Sequence, residues 1–457
     1  MKRIDILPDD VLLGIFDFYV EIRSPYDLRR ETEAWQTLVH VCRRWRSLVL
    51  GSPRRLNLRL LCTPETLVRV TLGVWPVLPL VVGGDMTPSS GTDNIVAALG
   101  ESYRVCQVSL SGFAGWQLEQ VLAAMQVPFP ELTDLRFSSD HETMPVIPDS
   151  FLNGSAPRLR HFQLDGIPFP GLPKLHLSPT HLVKLELWNI PHSGYISPEA
   201  IVAFVSVLSS LESLHLLFQS PQSRPDQPPL PSRHSVMPSL RYFGYKGVIE
   251  YLEDLVTGID APQLDKMEIT FFHHIDFDTP QLTQFINRTP KLGKRLACVG
   301  FQDNLARVRL SPRILQVAIS CREPDRQLSS IERVCNSSLH PLSTVEDLYI
   351  KYRYRQSVWN IYNNDATEST LWLQLLLPFT AVKNLYLSKE FAPGIAAALQ
   401  ELVGGRITDV LPGLQNIFVG GLEPSGPVQK NIEQFVAARQ LSDHTISISD
   451  WYERRRR

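Results

Sequence analysis

The sequence predicts an α/β chain in which a short helical module precedes a run of strand-and-crossover repeats, stacked as a solenoid with a parallel sheet on its concave face and helices and loops on its convex face. Three observations predict it: an apolar pattern recurring from about residue 130 to 420, helix-like stretches between its copies, and a capped apolar helix near residue 8.

The pattern is an apolar residue, two others, an apolar residue, one other and an apolar residue, often with proline two places ahead. It reads PELTDLRF, PRLRHFQL, THLVKLEL, SSLESLHL, PSLRYFGY, PQLDKMEI, PRILQVAI, STVEDLYI, TAVKNLYL and PGLQNIFV, and PKLGKRLACVGF fits with a slip of about two residues. Its first apolar positions are Leu132, Leu159, Leu182, Leu211, Leu240, Leu264, Leu292, Ile314, Val345, Val382 and Leu414, spaced 22 to 37 residues apart. In a chain that is 44% hydrophobic one copy means little, but eleven in order, seven led by proline, are not chance. Alternation within each copy predicts a short strand with every second residue buried. Residues 198–210, 280–289, 327–339 and 393–405 read as helices between strands. A strand, a crossover and another strand, repeated, gives a parallel sheet with helices along one face.

These units resemble the leucine-rich repeat family, which shares the L-x-x-L-x-L core. The asparagine or cysteine that usually follows that core has no fixed offset here, and unit length varies, so the resemblance implies an irregular solenoid. SPQSRPDQPPLPSRHSV (220–236) holds five prolines and predicts an extended loop, either a plain insertion or a ligand for an SH3-type partner. After Gln429, NIEQFVAARQL predicts a helix and TISIS a last strand covering the solenoid's end. The final RRRR is either a solvated tail or a nuclear import signal.

Charge is nearly balanced, with 45 basic and 47 acidic side chains, so no broad field draws the chain to nucleic acid or to a membrane surface. Six cysteines (Cys42, Cys62, Cys106, Cys298, Cys321, Cys335) form no C-x-x-C pair and read as reduced core thiols. Acidic Asp5, Asp9 and Asp10 stand where a secretory segment would run apolar, and LGVWPVLPLVV (72–82) is too short to span a bilayer. The expectation is a soluble intracellular protein of the cytoplasm or nucleus. The N-x-S/T triplets at Asn153, Asn287 and Asn336 then read as chance matches.

The first helix is predicted from Pro8, which fits a first turn, and from Asp9 and Asp10, which favour the positive end of the helix dipole. Val11, Leu12, Ile15, Phe16 and Tyr19 fall on one stripe. Trp35, Leu38, Cys42, Trp45 and Val49 repeat that spacing, with Arg43, Arg44 and Arg46 pointing elsewhere. Such a pair of helices can bury its stripes on itself, on the neighbouring repeats as a cap, or on another protein.

LPDDVLLGIF followed by VCRRWRSLV resembles the F-box, a helical module of about fifty residues. Leu7, Pro8, Val11, Leu12, Ile15 and Phe16 match its opening, and Val41, Cys42, Arg43, Trp45 and Leu48 match its V-C-x-x-W-x-x-L block. The connection EIRSPYDLRRETEA (21–34) is longer and more charged than the family's usual one. Segments such as ISCREPDRQLSSIERVC and FVAARQLSDH are similar to F-box-like proteins of basidiomycete fungi. The resemblance implies a non-catalytic substrate receptor of an SCF-type ubiquitin ligase, docking on a Skp-type adaptor and through it on a cullin; the alternative is a ligase-independent interaction scaffold. It also implies an organisation of 4–55 as F-box, 56–128 as junction and first irregular repeats, 129–450 as solenoid with its cap, and 451–457 as basic tail.

Residues between the buried strand positions point to the opposite face. That face carries Asp134 and Arg136; His161, Gln163 and Asp165; Lys184, Glu186 and Trp188; His215; Tyr242 and Lys246; Lys266 and Glu268; Asp347, Tyr349 and Lys351; Tyr386; and Phe418. Aromatics commonly anchor interfaces, which makes Trp188, Tyr242, Tyr349 and Tyr386 the candidate contacts for a protein target. His273 and His274, with Asp276 and Asp278, do not make a metal site, because neighbouring strand residues face opposite ways. Glycine pairs at Gly83, Gly404 and Gly420 lack phosphate-loop spacing, and neither G-x-S-x-G nor H-E-x-x-H occurs. No catalytic residue, metal or cofactor is expected.

Overall fold

The computed structural model describes residues 7–21, 35–87, 91–141, 143–222, 234–272, 278–289, 292, 296–311, 314–337, 342–352, 366–403, 407–423, 426–440 and 445–451. The long F-box connection, most of the proline-rich stretch, His273, His274, Asp276, Gly404 and the terminal arginines lie outside these residues. No helix among those described is long and apolar enough to cross a membrane. The chain forms two compact units, Met1–Ile196 with Val207–Leu211, and Ser197–Ser206 with Glu212–Arg457.

In the first unit, helices Asp9–Glu21 and Arg43–Gly51 precede strands β1 (Leu60–Cys62), β2 (Leu80–Asp85), β3 (Val105–Ser111), β4 (Asp134–Ser138), β6 (His161–Asp165) and β8 (Lys184–Ile190), which pair in that order and all in parallel. Two short strands, β5 (Ser155–Ala156) and β7 (His176–Leu177), pair separately. Helices Val68–Val74, Thr92–Leu99 and Gly115–Ala124 are the first crossovers, so residues 60–124 already carry the repeat, although their strands lack its leucine spacing.

The second unit holds β9 (Ser213–Phe218), β10 (Ser235–Val236), β11 (Tyr242–Gly247), β12 (Ile259–Asp260), β13 (Lys266–Phe272), β14 (Leu296–Gln302), β15 (Leu305–Ser311), β16 (Ile314–Ser320), β17 (Asp347–Tyr352), β18 (Asn384–Leu387), β19 (Asn416–Val419) and β20 (Ser447–Asp450). Its main sheet runs β9-β11-β13-β16-β15-β14-β17-β18-β19-β20, and β10 pairs with β12. Helices Pro198–Val205, Pro280–Asn287, Pro324–Asn336 and Ala392–Glu401 stand where the sequence places them, and Pro427–Gln440 precedes the last strand; Ile249–Thr257 and Ala366–Leu376 are additional crossovers.

Every copy of the pattern is a strand, and the burial explains why. Ten of the eleven first positions are 2% exposed or less, closing the turn that leads into the strand. Alternation is clearest in β6 and β17, where buried Phe162, Leu164, Leu348 and Ile350 alternate with half-buried polar and aromatic residues. The inner side chains meet the helices: Trp372 of the crossover packs edge-on against Phe301 of β14 at 5.9 Å, and Tyr245 of β11 stacks on Tyr251 at 6.0 Å.

The exception corrects the expected parallel sheet. β15 runs antiparallel between β14 and β16, turning at Asp303–Asn304, and this meander reverses the strand order at residues 296–320. Ile314 is therefore half-exposed and Leu315 buried in its place, because a hairpin rather than a crossover leads into β16. The cysteines also differ from expectation: Cys62 and Cys335 are buried, with burial pushing the Cys62 thiol up to about 11, whereas Cys42, Cys106, Cys298 and Cys321 are only half-buried. All six are free thiols.

Candidate binding faces

The N-terminal helix begins at Asp9, with both acidic residues in its first turn. Its apolar stripe is split between two jobs. Leu12 and Phe16 are sealed in their own chain, Phe16 lying 4.7 Å from the Trp45 ring, while Val11, Ile15 and Phe18 are 42%, 47% and 66% exposed. Of the other residues that match the F-box, Leu7, Cys42, Trp45 and Leu48 are half-buried, and Pro8 and Val41 are exposed. The helix read as continuous through Trp35–Val49 is broken: residues 35–39 are helical, a turn follows, and Cys42 caps the next helix, its sulfur accepting from the Trp45 N–H at 3.5 Å. Arg44 reaches back to Asp9 at 2.6 Å and donates to the Leu7 carbonyl, a tie that periodicity alone did not suggest. Trp35 joins this segment to the first repeats, donating from Nε1 to the Arg59 carbonyl at 2.9 Å with its ring 5.2 Å from Trp75.

On the open face of the first unit, register places Asp134, His161 and Lys184 side by side, then Arg136, Gln163 and Glu186, with Asp165 beside Trp188. His161 Nδ1 lies 2.5 Å from the Asp134 carboxylate. Burial alone raises the Asp134 pKa, but hydrogen bonds from His161 and Thr133 outweigh it and hold the carboxyl below its ordinary value. Asp165 accepts from Asn189 Nδ2 at 2.7 Å. Trp188 is half-buried beside this pair.

In the second unit the candidate aromatics fall into two clusters. Tyr242 is packed by the His215 ring at 4.4 Å and by Lys266 Nζ at 4.2 Å over its face, and its hydroxyl donates to Glu268. His215, expected on the exposed face, is covered by this contact and is 7% exposed. Further along, Tyr349, Tyr386 and Phe418 form a ladder of parallel rings with centroids 4.2 and 4.6 Å apart, because parallel register sets them side by side on adjacent strands. Trp451, just past β20, lies 6.0 and 5.6 Å from the two tyrosines, and Lys351 sits 5.2 Å from the Tyr349 centroid. Beside this runs a polar ladder that the pattern did not single out: Asn384 donates to Asp347 and Asn416 to Asn384, each at 2.7 Å, and Ser447 donates to Asn416.

β15 adds Arg307 and Arg309 to the same face, both half-buried. Their signal was present as the alternation LARVRLS after a two-residue turn, the mark of a hairpin. It is masked by the repeat copies on either side.

These features define a class: an α/β repeat protein with one face of each sheet covered by helices and the other lined with polar, charged and aromatic side chains. No family model and no curated protein matches the chain. Among solved structures, the leucine-rich repeat-containing protein LegL7 from Legionella pneumophila aligns with 83% of this chain and 97% of its own at 14% identity and a TM-score of 0.27. The repeat architecture rests on the strand registers and buried first positions described above.

Proposed function

We propose that this protein holds other proteins rather than transforming them: a substrate receptor of an SCF-type cullin ubiquitin ligase, with residues 4–55 docking on a Skp-type adaptor and the repeats binding a protein target. The observation that carries this reading is the exposed apolar row Val11, Ile15 and Phe18, with Val41 also exposed, on a segment that resembles the F-box. Leu12, Leu13 and Phe16 make the segment's own core, leaving the row to a partner. A receptor of this kind raises the effective concentration of a target lysine near the conjugating enzyme and needs no chemistry of its own. The test is adaptor capture by the full-length chain, wild type against Val11→Asp with Ile15→Asp. Equal capture by both, or none by wild type, removes the ligase role.

A second reading, a ligase-independent scaffold whose first helices cap the repeats, is favoured by the Trp35 ties to Arg59 and Trp75. Deleting residues 1–52 separates the two. Loss of a cap lowers the melting temperature of the remainder sharply, whereas loss of a tethered module leaves it nearly unchanged.

A further inference from the structure

The open face of the second unit carries a concentration of positive charge that the whole-chain balance conceals. Lys246, Thr270, Ala318, Arg307, Gly300 and Lys351 follow one another across six strands in register. Arg309 stands in the adjacent row, between Gln316 and Cys298. Among the described strand residues of this face, the cations Lys246, Lys266, Arg307, Arg309 and Lys351 meet two carboxylates, Glu268 and Asp347, in a chain whose formal net charge is −2. Glu268 accepts from the Tyr242 hydroxyl and lies 3.2 Å from Lys266, and Asp347 accepts from Asn384. Half-burial disfavours the charged form of Lys246 and lowers its pKa, and its ammonium group lies 5.0 Å from the Phe272 ring centroid. The neighbours of Arg307 along the row, Ala318 and Gly300, are small, and a methyl group at Gly300 would stand 3.4 Å from the Arg307 Nε, so the guanidinium group lies across the sheet floor.

We propose that this face binds an acidic peptide segment in extended conformation, laid across the strands on Arg307, Arg309 and Lys351. The proposal deepens the reading that the chain holds a protein target, by naming the chemistry of the segment it takes. Five inter-strand steps separate Lys246 from Lys351, about 24 Å at the usual strand spacing, which an extended peptide of about eight residues covers. Arginine forks suit carboxylates, and partly desolvated charge-assisted hydrogen bonds are the strong ones. Single-stranded nucleic acid fits less well. The rings of Tyr349, Tyr386 and Phe418 are stacked on one another at 4.2 and 4.6 Å, so the faces between them are already filled and cannot take bases.

The test uses the full-length chain with fluorescent octa-glutamate, octa-glutamine, octa-lysine and octa-thymidine DNA, read by anisotropy. Octa-glutamate is expected to bind at least about tenfold tighter than octa-glutamine and to weaken with added salt. The R307Q/R309Q variant, folded by circular dichroism, loses that preference, and R307E/R309E exchanges it for octa-lysine, a gain that misfolding cannot imitate. Equal binding of octa-glutamate and octa-glutamine overturns the proposal, as does octa-thymidine binding as tightly as octa-glutamate, or a folded R307Q/R309Q variant that keeps the full preference. None of these measurements involves the adaptor, so failure here and failure of the ligase reading are separate results.

Discussion

The phenol ring of Tyr349 lies 4.2 Å from that of Tyr386 with only 4° between their planes. Face-to-face contact on adjacent parallel strands shields the Tyr349 hydroxyl from water, and burial, then the neighbouring Tyr386, pushes it up to about 12. Tyr352, whose hydroxyl donates to Asp303, is also pushed up to about 12 by burial first and by that carboxylate second.

A raised tyrosine pKa has a definite sign. The folded state prefers the neutral phenol, so this contribution is complete below the ordinary value of 10 and is lost as pH rises through about 12. Stability measured by chemical denaturation is expected to fall steeply across that alkaline range. Tyr349→Phe keeps the ring stack and removes the titrating hydroxyl, so its alkaline fall is shallower. An identical fall in the variant sinks this account.

The first helix offers a contrast between adjacent residues. Phe16 is fully buried against Trp45, and its replacement by alanine is expected to cost about 3–5 kcal/mol. Ile15, 47% exposed, is expected to accept aspartate within about 0.5 kcal/mol. Urea unfolding of the two variants checks this directly, and a large loss in Ile15→Asp would show that its face is already occupied within the chain.

How much of this was legible in the sequence follows from the range over which each feature acts. The first leucines were readable because the turn into each strand buries one residue whatever the strand's neighbours are. The meander was not, since Ile314 keeps the repeat spacing although the strand ahead of it arrives by a hairpin. Asn384 and Asn416 are hydrogen-bonded, yet they stand 32 residues apart in sequence, and no local period links them. In the first helix the apolar stripe was plain, but hydrophobicity marks Leu12 and Val11 alike and does not say which edge meets the chain's own core. The spacing through Trp35, Leu38, Cys42 and Trp45 likewise carries no trace of the break that the Cys42 cap makes.

Two glycines with the same φ test how the turn beside Trp188 is held. Gly154 and Gly166 both have φ +70, but a methyl group at Gly154 meets nothing within 4 Å, whereas at Gly166 it would fall 2.2 Å from the Ser139 carbonyl oxygen. Gly166 also donates its N–H to the Trp188 carbonyl at 3.0 Å, so any shift there moves the strand end that carries that tryptophan. Gly154→Ala should cost about 1 kcal/mol for the left-handed backbone alone. Gly166→Ala should cost clearly more, with a larger drop in melting temperature. Equal drops in a thermal scan would mean that the Ser139 contact relaxes freely.

Asp134 and His161 make the acid-side counterpart of the tyrosine prediction. Burial pulls the Asp134 carboxyl up, but the hydrogen bonds from His161 and Thr133 prevail and leave it below the ordinary 3.8. A depressed carboxyl stabilises the fold above its unfolded value, and that contribution is lost as pH falls through the lower folded value. The stability difference between wild type and Asp134→Asn should therefore be constant above pH about 5 and shrink below about 3.8. The side chains are 20% and 32% exposed, so added salt should reduce the plateau without removing it. His161→Gln, which can keep a hydrogen-bond donor at Asp134, should retain part of the depression. If the difference between wild type and Asp134→Asn stays the same down to the acid limit of folding, the pair contributes through packing alone and the carboxylate is not what this strand edge stabilises.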